Sequence, residues 1–245
     1  MCRPGPARGL RGRPGPTPGT GVAERDNRAV TGRYRDRSHA GQVLAGELFD
    51  YVGRDDLVVL GLARGGVPVA AEVASRLQAP LDAFLVRKLG APGNPELAMG
   101  AIATGGVRVL NDTVVRGLQV GWDAIEATAA READELARRE SVYREGRPAP
   151  DLAGKVVILV DDGLATGSSM RVAIEAVARQ APERVVVAVP VGARPTCDEL
   201  AAIADEVVCP LTPSSFYAVG EWYVDFAPPT DEEIRKLLAP DRQEP

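Results

Sequence analysis

The fold of this chain is decided by one stretch, Lys155-Val-Val-Ile-Leu-Val-Asp161-Asp162-Gly-Leu-Ala165-Thr166-Gly167-Ser168-Ser169. Five consecutive apolar residues, Val156 to Val160, include four β-branched side chains. Such a run is typical of a central parallel strand that is buried on both faces. Two adjacent acids follow at the carboxyl end of this strand, where open α/β sheets bind ligands. The stretch therefore predicts an α/β fold with a binding site at this edge of the sheet.

The loop after the acids is suited to an anion. Residues Ala165 to Ser169 are small or hydroxylated, and a helix is predicted to begin near Met170. Backbone N–H groups at a helix N-terminus can approach an anion, and the helix dipole favours negative charge there. Carboxylates beside such a loop can bind sugar hydroxyls, so the pattern indicates a ribose phosphate. The alternative is an ordinary Ser/Gly turn beside two solvated acids.

This stretch resembles the motif with which type I phosphoribosyltransferases bind phosphoribosyl pyrophosphate (PRPP), at nearly every position from Val157 to Ser169. A looser resemblance to the same family extends from Leu57 to Phe226. It implies a mostly parallel central sheet flanked by helices, with a flexible loop or hairpin and a small C-terminal hood. It also implies transfer of a 5-phosphoribosyl group from PRPP to a nitrogenous acceptor, expected to be a nucleobase, with release of pyrophosphate. Nucleotide metabolism and purine salvage are the expected setting.

The resemblance assigns roles to the acids and to the loop. Asp161 and Asp162 would be catalytic, holding the ribose hydroxyls, and would hold Mg²⁺ through those hydroxyls or water. The implied PRPP-binding positions of the loop are Ala165, Thr166, Gly167, Ser168 and Ser169. Hypoxanthine–guanine members carry an Asp where this chain has Ala165. The loop looks more like that of adenine-type members, so the acceptor stays open.

An earlier loop is a candidate for binding pyrophosphate. The predicted strand Leu57–Leu62 leads through Arg64, Gly65 and Gly66 into a helix predicted over 67–77. The glycines allow a ligand to approach the backbone closely, and Arg64 can neutralise a phosphate. The resemblance implies that this loop holds the pyrophosphate of PRPP, although Arg-Gly-Gly alone is also an ordinary turn.

The segment Arg87–Glu96 follows a strand predicted over 81–86. It is polar, rich in Gly and Pro, and is predicted to be too irregular for a helix or strand. Such a loop can act as a lid. In the resembling family a flexible catalytic loop lies here, which implies that Lys88 contacts the leaving pyrophosphate with Arg87 in support. Glu96 is a candidate general acid or base. The alternatives are a solvated basic pair and a surface carboxylate.

An aromatic segment near the C-terminus is a candidate for binding the acceptor. Residues 216–226 contain five of the chain's eleven aromatic residues, and aromatic faces stack on flat ligands. In the family, a hood in this position stacks on the nucleobase. Phe216 and Tyr217 are the expected acceptor contacts, and Asp225 is a candidate to reach the metal or the base. Alternatively, these aromatics pack the hood against the core.

The rest of the chain alternates between strands and helices, which favours a parallel sheet covered on both faces. Helices are predicted over 36–52, 123–144, 171–179, 195–203 and 230–238, with Thr230 and Glu233 forming a capping box. Strands are predicted over 185–191 and 206–209. A hairpin is predicted with arms at 101–103 and 107–109, because Gly105-Gly106 lies between them.

Composition and charge narrow the class of protein. The net charge is −5, but residues 1–37 hold nine arginines against three acids, a net of +6, which leaves about −11 elsewhere. An acidic body argues against a nucleic-acid-binding core. Three cysteines without CxxC spacing indicate a reducing compartment and no zinc site. No apolar run approaches the ~20 residues of a membrane span, and the start lacks the apolar region of a secretory signal. We expect a cytoplasmic protein without a membrane or nucleic-acid partner.

The expected organisation is one phosphoribosyltransferase domain over residues 32–239, with a hood mainly at 210–228. Residues 1–31 are expected to be a disordered Arg/Pro/Gly-rich extension, and residues 240–245 a polar tail. A homodimer is expected because dimers are the commonest assembly. A non-catalytic PRPP- or nucleotide-sensing regulator of the same fold is the alternative function. The absence of a GxxxxGK[ST] loop argues against a P-loop kinase.

Overall fold

The computed structural model describes residues 32–239, except for the side chain of Glu96. The predicted extension, residues 1–31, and the predicted tail, residues 240–245, lie outside the described residues. The strands are β1 (Leu57–Leu62), β2 (Leu81–Phe84), β3 (Val86–Ala91), β4 (Asn94–Ala103), β5 (Arg108–Leu110), β6 (Val156–Val160), β7 (Arg184–Ala188) and β8 (Glu206–Val208). The helices are α1 (Arg37–Glu47), α2 (Gly66–Leu77), α3 (Asp112–Gly117), α4 (Trp122–Arg144), α5 (Ser168–Ala178), α6 (Arg194–Leu200) and α7 (Asp231–Leu238).

A five-stranded sheet with the order β2-β1-β6-β7-β8 forms the centre of the fold, and all of its pairings are parallel. Every residue of β1 and β6 is buried, because both faces of the sheet are covered. Leu57 and Val59 of β1 face the layer of α1, α2, α4 and α7, whereas Val58 and Leu60 face α5 and α6. The predicted α/β fold with a mostly parallel, helix-flanked sheet is confirmed.

Most predicted elements are confirmed with small shifts at their ends. The strand predicted over 57–62 is β1, and the helix predicted over 123–144 is α4, which begins one residue earlier. The first predicted helix is α1 followed by a short 3-10 turn at Phe49–Tyr51. The capping box of α7 is present, with the Thr230 hydroxyl accepting from the Glu233 amide at 3.2 Å.

The prediction that Arg87–Glu96 is too irregular for a strand is wrong. These residues lie in an antiparallel hairpin of β3 and β4, in which Ala91 pairs with Asn94. Pro92 and Gly93 make the turn, with Gly93 at φ +77°. The register shifts next to Gly90, where an added Cβ would lie 2.7 Å from the Pro95 carbonyl oxygen. The glycines and prolines therefore mark a turn and a bulge inside a hairpin.

The same small sheet continues into β5, as predicted. Ile102 of β4 pairs with Arg108 of β5 around the turn at Gly105-Gly106. The three-stranded sheet β3-β4-β5 packs against α4 through β3 and β4. None of the helices in residues 32–239 combines the length and apolar content needed to cross a membrane.

The C-terminal segment is tied to the residues that precede α1. Tyr34 and Tyr223 form a parallel bridge, and the Tyr34 amide donates to the Trp222 carbonyl at 2.8 Å. The Val224 amide donates to the Tyr34 carbonyl at 2.8 Å. This pairing brings the start of α1 beside the segment that follows Tyr223, at the same edge of the sheet as the acid pair.

Candidate functional site

A cleft of about 310 Å³ lies where β1 and β6 end. These strands are neighbours in the sheet, so the loops that follow them emerge side by side. The cleft is lined by Arg37, Leu62, Ala63, Arg64, Gly65, Phe84, Val86, Asp161, Asp162, Ser169, Phe226, Pro228 and Pro229. The structure thus brings together both predicted acids, part of the predicted pyrophosphate loop and one residue of the predicted phosphate loop.

The two acids are held differently by the protein. The Asp162 amide donates to Asp161 Oδ1 at 2.9 Å, while Asp162 Oδ2 accepts from Arg37 Nε at 2.8 Å. The second oxygen of each carboxylate is not hydrogen-bonded to another residue of the described chain. Burial and the charge of Asp162 raise the pKa of Asp161 well above its ordinary value. Burial also raises the pKa of Asp162, although the Arg37 guanidinium opposes that rise.

Arg37 is a site residue that the sequence analysis missed. It is the first residue of α1, and Nη2 lies 2.8 Å from Asp162 Oδ2. Nη1 donates to the Ala227 carbonyl at 2.8 Å, and the guanidinium carbon lies 4.0 Å from the centre of the Phe226 ring. The capping residue Asp36 predicts where α1 begins, but no local pattern connects Arg37 with an acid 125 residues away.

The loop between β1 and α2 packs tightly against the acid pair. A Cβ added at Gly65 would lie 2.1 Å from Asp162 Oδ2, and one added at Gly66 would lie 2.4 Å from the Val160 carbonyl oxygen. Only glycine fits at these positions without movement of the neighbouring atoms. Arg64 is 43% exposed, and its Nη1 lies 3.8 Å from Asp231 Oδ1 at the start of α7. The loop places a cation and bare backbone at the mouth of the cleft.

The loop between β6 and α5 ends at the N-terminus of α5 and carries exposed hydroxyl groups. Gly167, at φ +66°, directly precedes the first residue of α5. The Thr196 hydroxyl donates to the Ala165 carbonyl at 2.7 Å, which fixes the loop from α6. The Thr166 and Ser168 hydroxyls lie 3.1 Å apart and are exposed. Exposed hydroxyls at the N-terminus of an eleven-residue helix are available to an anion.

The predicted basic pair lies outside this cleft. Arg87 Nη2 lies 2.6 Å from Glu132 Oε2 of α4, and Lys88 is exposed. Both line a second cleft of about 720 Å³ between the β3-β4 hairpin and α4. Val86 lines both clefts, so the cleft of the basic pair adjoins the cleft of the acid pair. Glu96 belongs to β4, but its side chain lies outside the described residues.

The predicted acceptor contacts do not line the smaller cleft. Phe216 packs against the cluster of Tyr34, Val191 and Tyr223, and Tyr217 is 83% exposed. Asp225 Oδ1 accepts from the Ala227 amide at 2.9 Å. Phe226 lies in the cleft instead, followed by Pro228 and Pro229. The run of aromatic residues predicts a hood in this segment. The spacing of these residues does not show that Phe226 is the one that faces the cleft.

The acid pair fits a hard cation that is shared with a ligand. No group of three or more His, Cys, Asp or Glu side chains among the described residues could hold a metal ion by itself. Asp161 and Asp162 supply two carboxylates, each with one oxygen not bonded to another described residue. Mg²⁺ is commonly bound by one or two carboxylates together with waters and substrate phosphates. The donor set therefore suits Mg²⁺ that arrives with a phosphorylated ligand.

Comparison with known proteins agrees with this geometry. The model of a family described as the phosphoribosyl transferase domain matches residues 37–226. Proteins of two Mycobacterium tuberculosis strains named "Putative phosphoribosyl transferase" are 47% identical over 205 residues, 84% of this chain. The chain spans about half the length of these relatives, since the match covers 46% of each. The crystal structure of TT1426 from Thermus thermophilus is 48% identical, with a TM-score of 0.73, and the match covers 84% of this chain and 97% of TT1426.

Proposed function

Because the chain belongs to the phosphoribosyl transferase domain family, we propose that it moves a 5-phosphoribosyl group from PRPP to a nitrogenous acceptor and releases pyrophosphate. The observation that supports this reaction best is the convergence of an acid pair, a glycine loop with an arginine, and a helix N-terminus at adjacent strand ends. Each of these features suits one part of PRPP: the ribose, the pyrophosphate and the 5′-phosphate. The acceptor is proposed to be a nucleobase, as in purine salvage.

The acid pair would act on the ribose. Asp161 and Asp162 would accept hydrogen bonds from the ribose hydroxyls through the oxygens that are not bonded to other described residues. Breaking the C1–O bond leaves positive charge on the ribose ring, which two nearby carboxylates stabilise. When bound, Mg²⁺ would supply positive charge that offsets the negative charge of the pyrophosphate. Asp161 and Asp162 would hold this ion through the hydroxyls or through water.

The two loops would hold the phosphates. Backbone N–H groups of the loop before α5 would bind the 5′-phosphate, and the hydroxyls nearby would complete its shell. The residues in this role are Ala165, Thr166, Gly167, Ser168 and Ser169. The loop of Arg64, Gly65 and Gly66 would hold the pyrophosphate, whose charge grows as it leaves. Lys88, supported by Arg87, would reach it when the β3-β4 hairpin moves toward the smaller cleft.

The acceptor would lie on the side of the cleft formed by the C-terminal segment. Phe226 is the aromatic residue of that segment that lines the described cleft, so it is proposed to contact the acceptor in place of Phe216 or Tyr217. A contact of Phe216, Tyr217 or Asp225 with the acceptor would require the hood to move. Glu96 is the proposed general acid or base. A cytoplasmic homodimer that binds no nucleic acid or membrane completes the proposal.

The direct test is pyrophosphate release from magnesium PRPP with a panel of purine and pyrimidine bases. Asp162→Asn removes one of the proposed ribose carboxylates and should lower release at least about a hundredfold, because charge stabilisation of the transition state is lost. Asp55→Asn is the matched control, since Asp55 is an exposed acid outside the cleft. It should leave release unchanged.

The outcomes separate the candidate functions. Release that depends on the base and disappears in Asp162→Asn supports the transferase. PRPP binding by calorimetry without release for any base favours the PRPP-sensing alternative. If neither binding nor release is detected, or if Asp162→Asn is as active as the wild type, the proposal is wrong.

A further inference from the structure

We propose that Arg37 selects the acceptor, and that the acceptor is a flat heterocycle with an oxo group that accepts a hydrogen bond from this arginine. The inference rests on the proposed phosphoribosyl transfer and adds a specificity residue and a substrate class to it. It follows from three properties of Arg37: its fixed position, its donor-only chemistry and the apolar surroundings that it shares with Phe226.

The guanidinium of Arg37 is held in place on several sides. Nε and Nη2 both lie 2.8 Å from Asp162 Oδ2, and Nη1 lies 2.8 Å from the Ala227 carbonyl oxygen. Its carbon lies 4.0 Å above the Phe226 ring centre, within the range of a cation–π contact. The side chain is only 10% exposed. A group fixed in this way can discriminate between ligands, because it cannot turn to suit a different one.

The fixed group still has hydrogen-bonding capacity. Nη1 and Nη2 each carry two hydrogens, and each nitrogen has one partner atom within the described part of the chain. One N–H group on each nitrogen is therefore left for a ligand or water. Arginine has no acceptor atom and does not lose its proton in proteins. Whatever pairs with these groups in the cleft must present an oxygen or nitrogen lone pair.

The surrounding wall favours a flat ring. Arg37 and Phe226 form one stacked surface, and Pro228, Pro229 and Val86 line the same cleft. A planar heterocycle can bury its faces against such apolar side chains. Its edge must then supply the acceptor for Arg37. A ring oxo group does so, whereas an exocyclic amino group at the same position would place two donors against each other.

Two pairs of nucleotides test this inference without turnover. Inosine and adenosine 5′-monophosphates carry oxo and amino groups at the same purine position, as do uridine and cytidine 5′-monophosphates at position 4 of the pyrimidine. Both pyrimidines keep an oxo group at position 2, so the inference assigns the position 4 group to Arg37. Calorimetry on the full chain should show that the oxo member of at least one pair binds about tenfold tighter or more, since the amino member leaves Arg37 unpaired. Equal affinities in both pairs, or tighter binding of the amino members, would overturn the inference.

Variants separate selection by Arg37 from a purely structural role. Arg37→Gln should reduce the oxo preference to less than about threefold, because an amide can both donate and accept. Loss of affinity for both members with the preference intact would show that Arg37 only supports Asp162. Arg35→Gln is the matched control, since Arg35 is an exposed neighbour outside the cleft. It should keep the preference.

A second variant covers the case in which Arg37→Gln does not fold. Phe226→Leu leaves the hydrogen bonds of Arg37 in place but removes the ring on which the guanidinium stacks, so the oxo preference should fall at least about threefold. An unchanged preference contradicts the inference. Failure of the proposed function would be seen separately, as absence of PRPP binding in the wild type. PRPP binding without an oxo preference would reject the role of Arg37 alone.

Discussion

At the scale of the residue, the burial of the acid pair lowers the stability of the folded chain. Burial, together with the charge of Asp162, raises the pKa of Asp161 in the folded chain. The unfolded chain therefore releases this proton at a lower pH than the folded chain does. Between the two pKa values the folded state binds more protons, so its stability falls as the pH rises through this window. At neutral pH the burial of Asp161 therefore lowers the stability of the fold.

Asp161→Asn is therefore expected to raise the unfolding temperature at pH 7.5 by a few degrees while it abolishes pyrophosphate release. The asparagine oxygen can still accept from the Asp162 amide, so the bond seen at 2.9 Å is preserved. Thermal unfolding from pH 4 to pH 8 measures the effect, and the gain should shrink toward pH 4. Asp55→Asn should show no gain at any pH. A destabilised Asp161→Asn variant would mean that the carboxylate supports the fold.

The residues of the site differ in how well the sequence predicts them. Asp161 and Asp162 follow directly from a buried strand, because a local pattern carries both the strand and the acids. Arg37 and Phe226 do not, because their positions depend on the pairing of Tyr34 with Tyr223, far apart in the chain. Local patterns predict which loops form a cleft, while tertiary pairing decides which side chains complete it.

At the scale of the element, two ion pairs join the three-stranded sheet to α4. Arg87 of β3 binds Glu132 at 2.6 Å, and Arg108 of β5 binds Glu126 at 2.7 Å. We expect Glu132→Gln to loosen the hairpin, with faster hydrogen exchange over residues 86–103. The cost in global stability should stay near or below about 1 kcal/mol, because partly exposed ion pairs contribute little.

Glu135→Gln is the matched control for this experiment. Glu135 also lies on α4, but it pairs with Arg138 and Arg139 of the same helix. Its removal should leave exchange in the hairpin unchanged. Equal protection of residues 86–103 in the two variants would show that apolar packing, such as that of Leu89, holds the hairpin to α4 without help from the ion pair.

A strand or helix can be predicted from the sequence where a single hydrophobic pattern dominates the segment. The run Leu57–Leu62 is apolar throughout, and β1 has those bounds. Residues 87–96 mix charges with glycine and proline, which predicts an irregular loop, yet β3 and β4 form across them. The turn at Pro92 and Gly93 is a local signal for a hairpin. The bulge at Gly90 interrupts the alternation that would otherwise reveal the strands.

At the scale of the whole molecule, the cleft joins segments that are far apart in the chain. Arg37 comes from the start of α1, Gly65 from the loop after β1, Asp162 from the loop after β6, and Phe226 from the C-terminal segment. A ligand that touches all four segments links both ends of the described domain to its central sheet. Because such a ligand binds the folded chain alone, it should stabilise the entire domain against unfolding.

Magnesium PRPP at about one hundred times its dissociation constant should add about 2.7 kcal/mol to the free energy of unfolding. For a domain of this size, that corresponds to a rise in unfolding temperature of roughly 5–10 °C. Chelation of the metal should remove most of the rise, since without Mg²⁺ the carboxylates of the acid pair repel the charged pyrophosphate. Asp162→Asn should show little shift, and Asp55→Asn the full shift. A full shift in Asp162→Asn would place PRPP outside this cleft, and a full shift under chelation would show that the site binds PRPP without a metal.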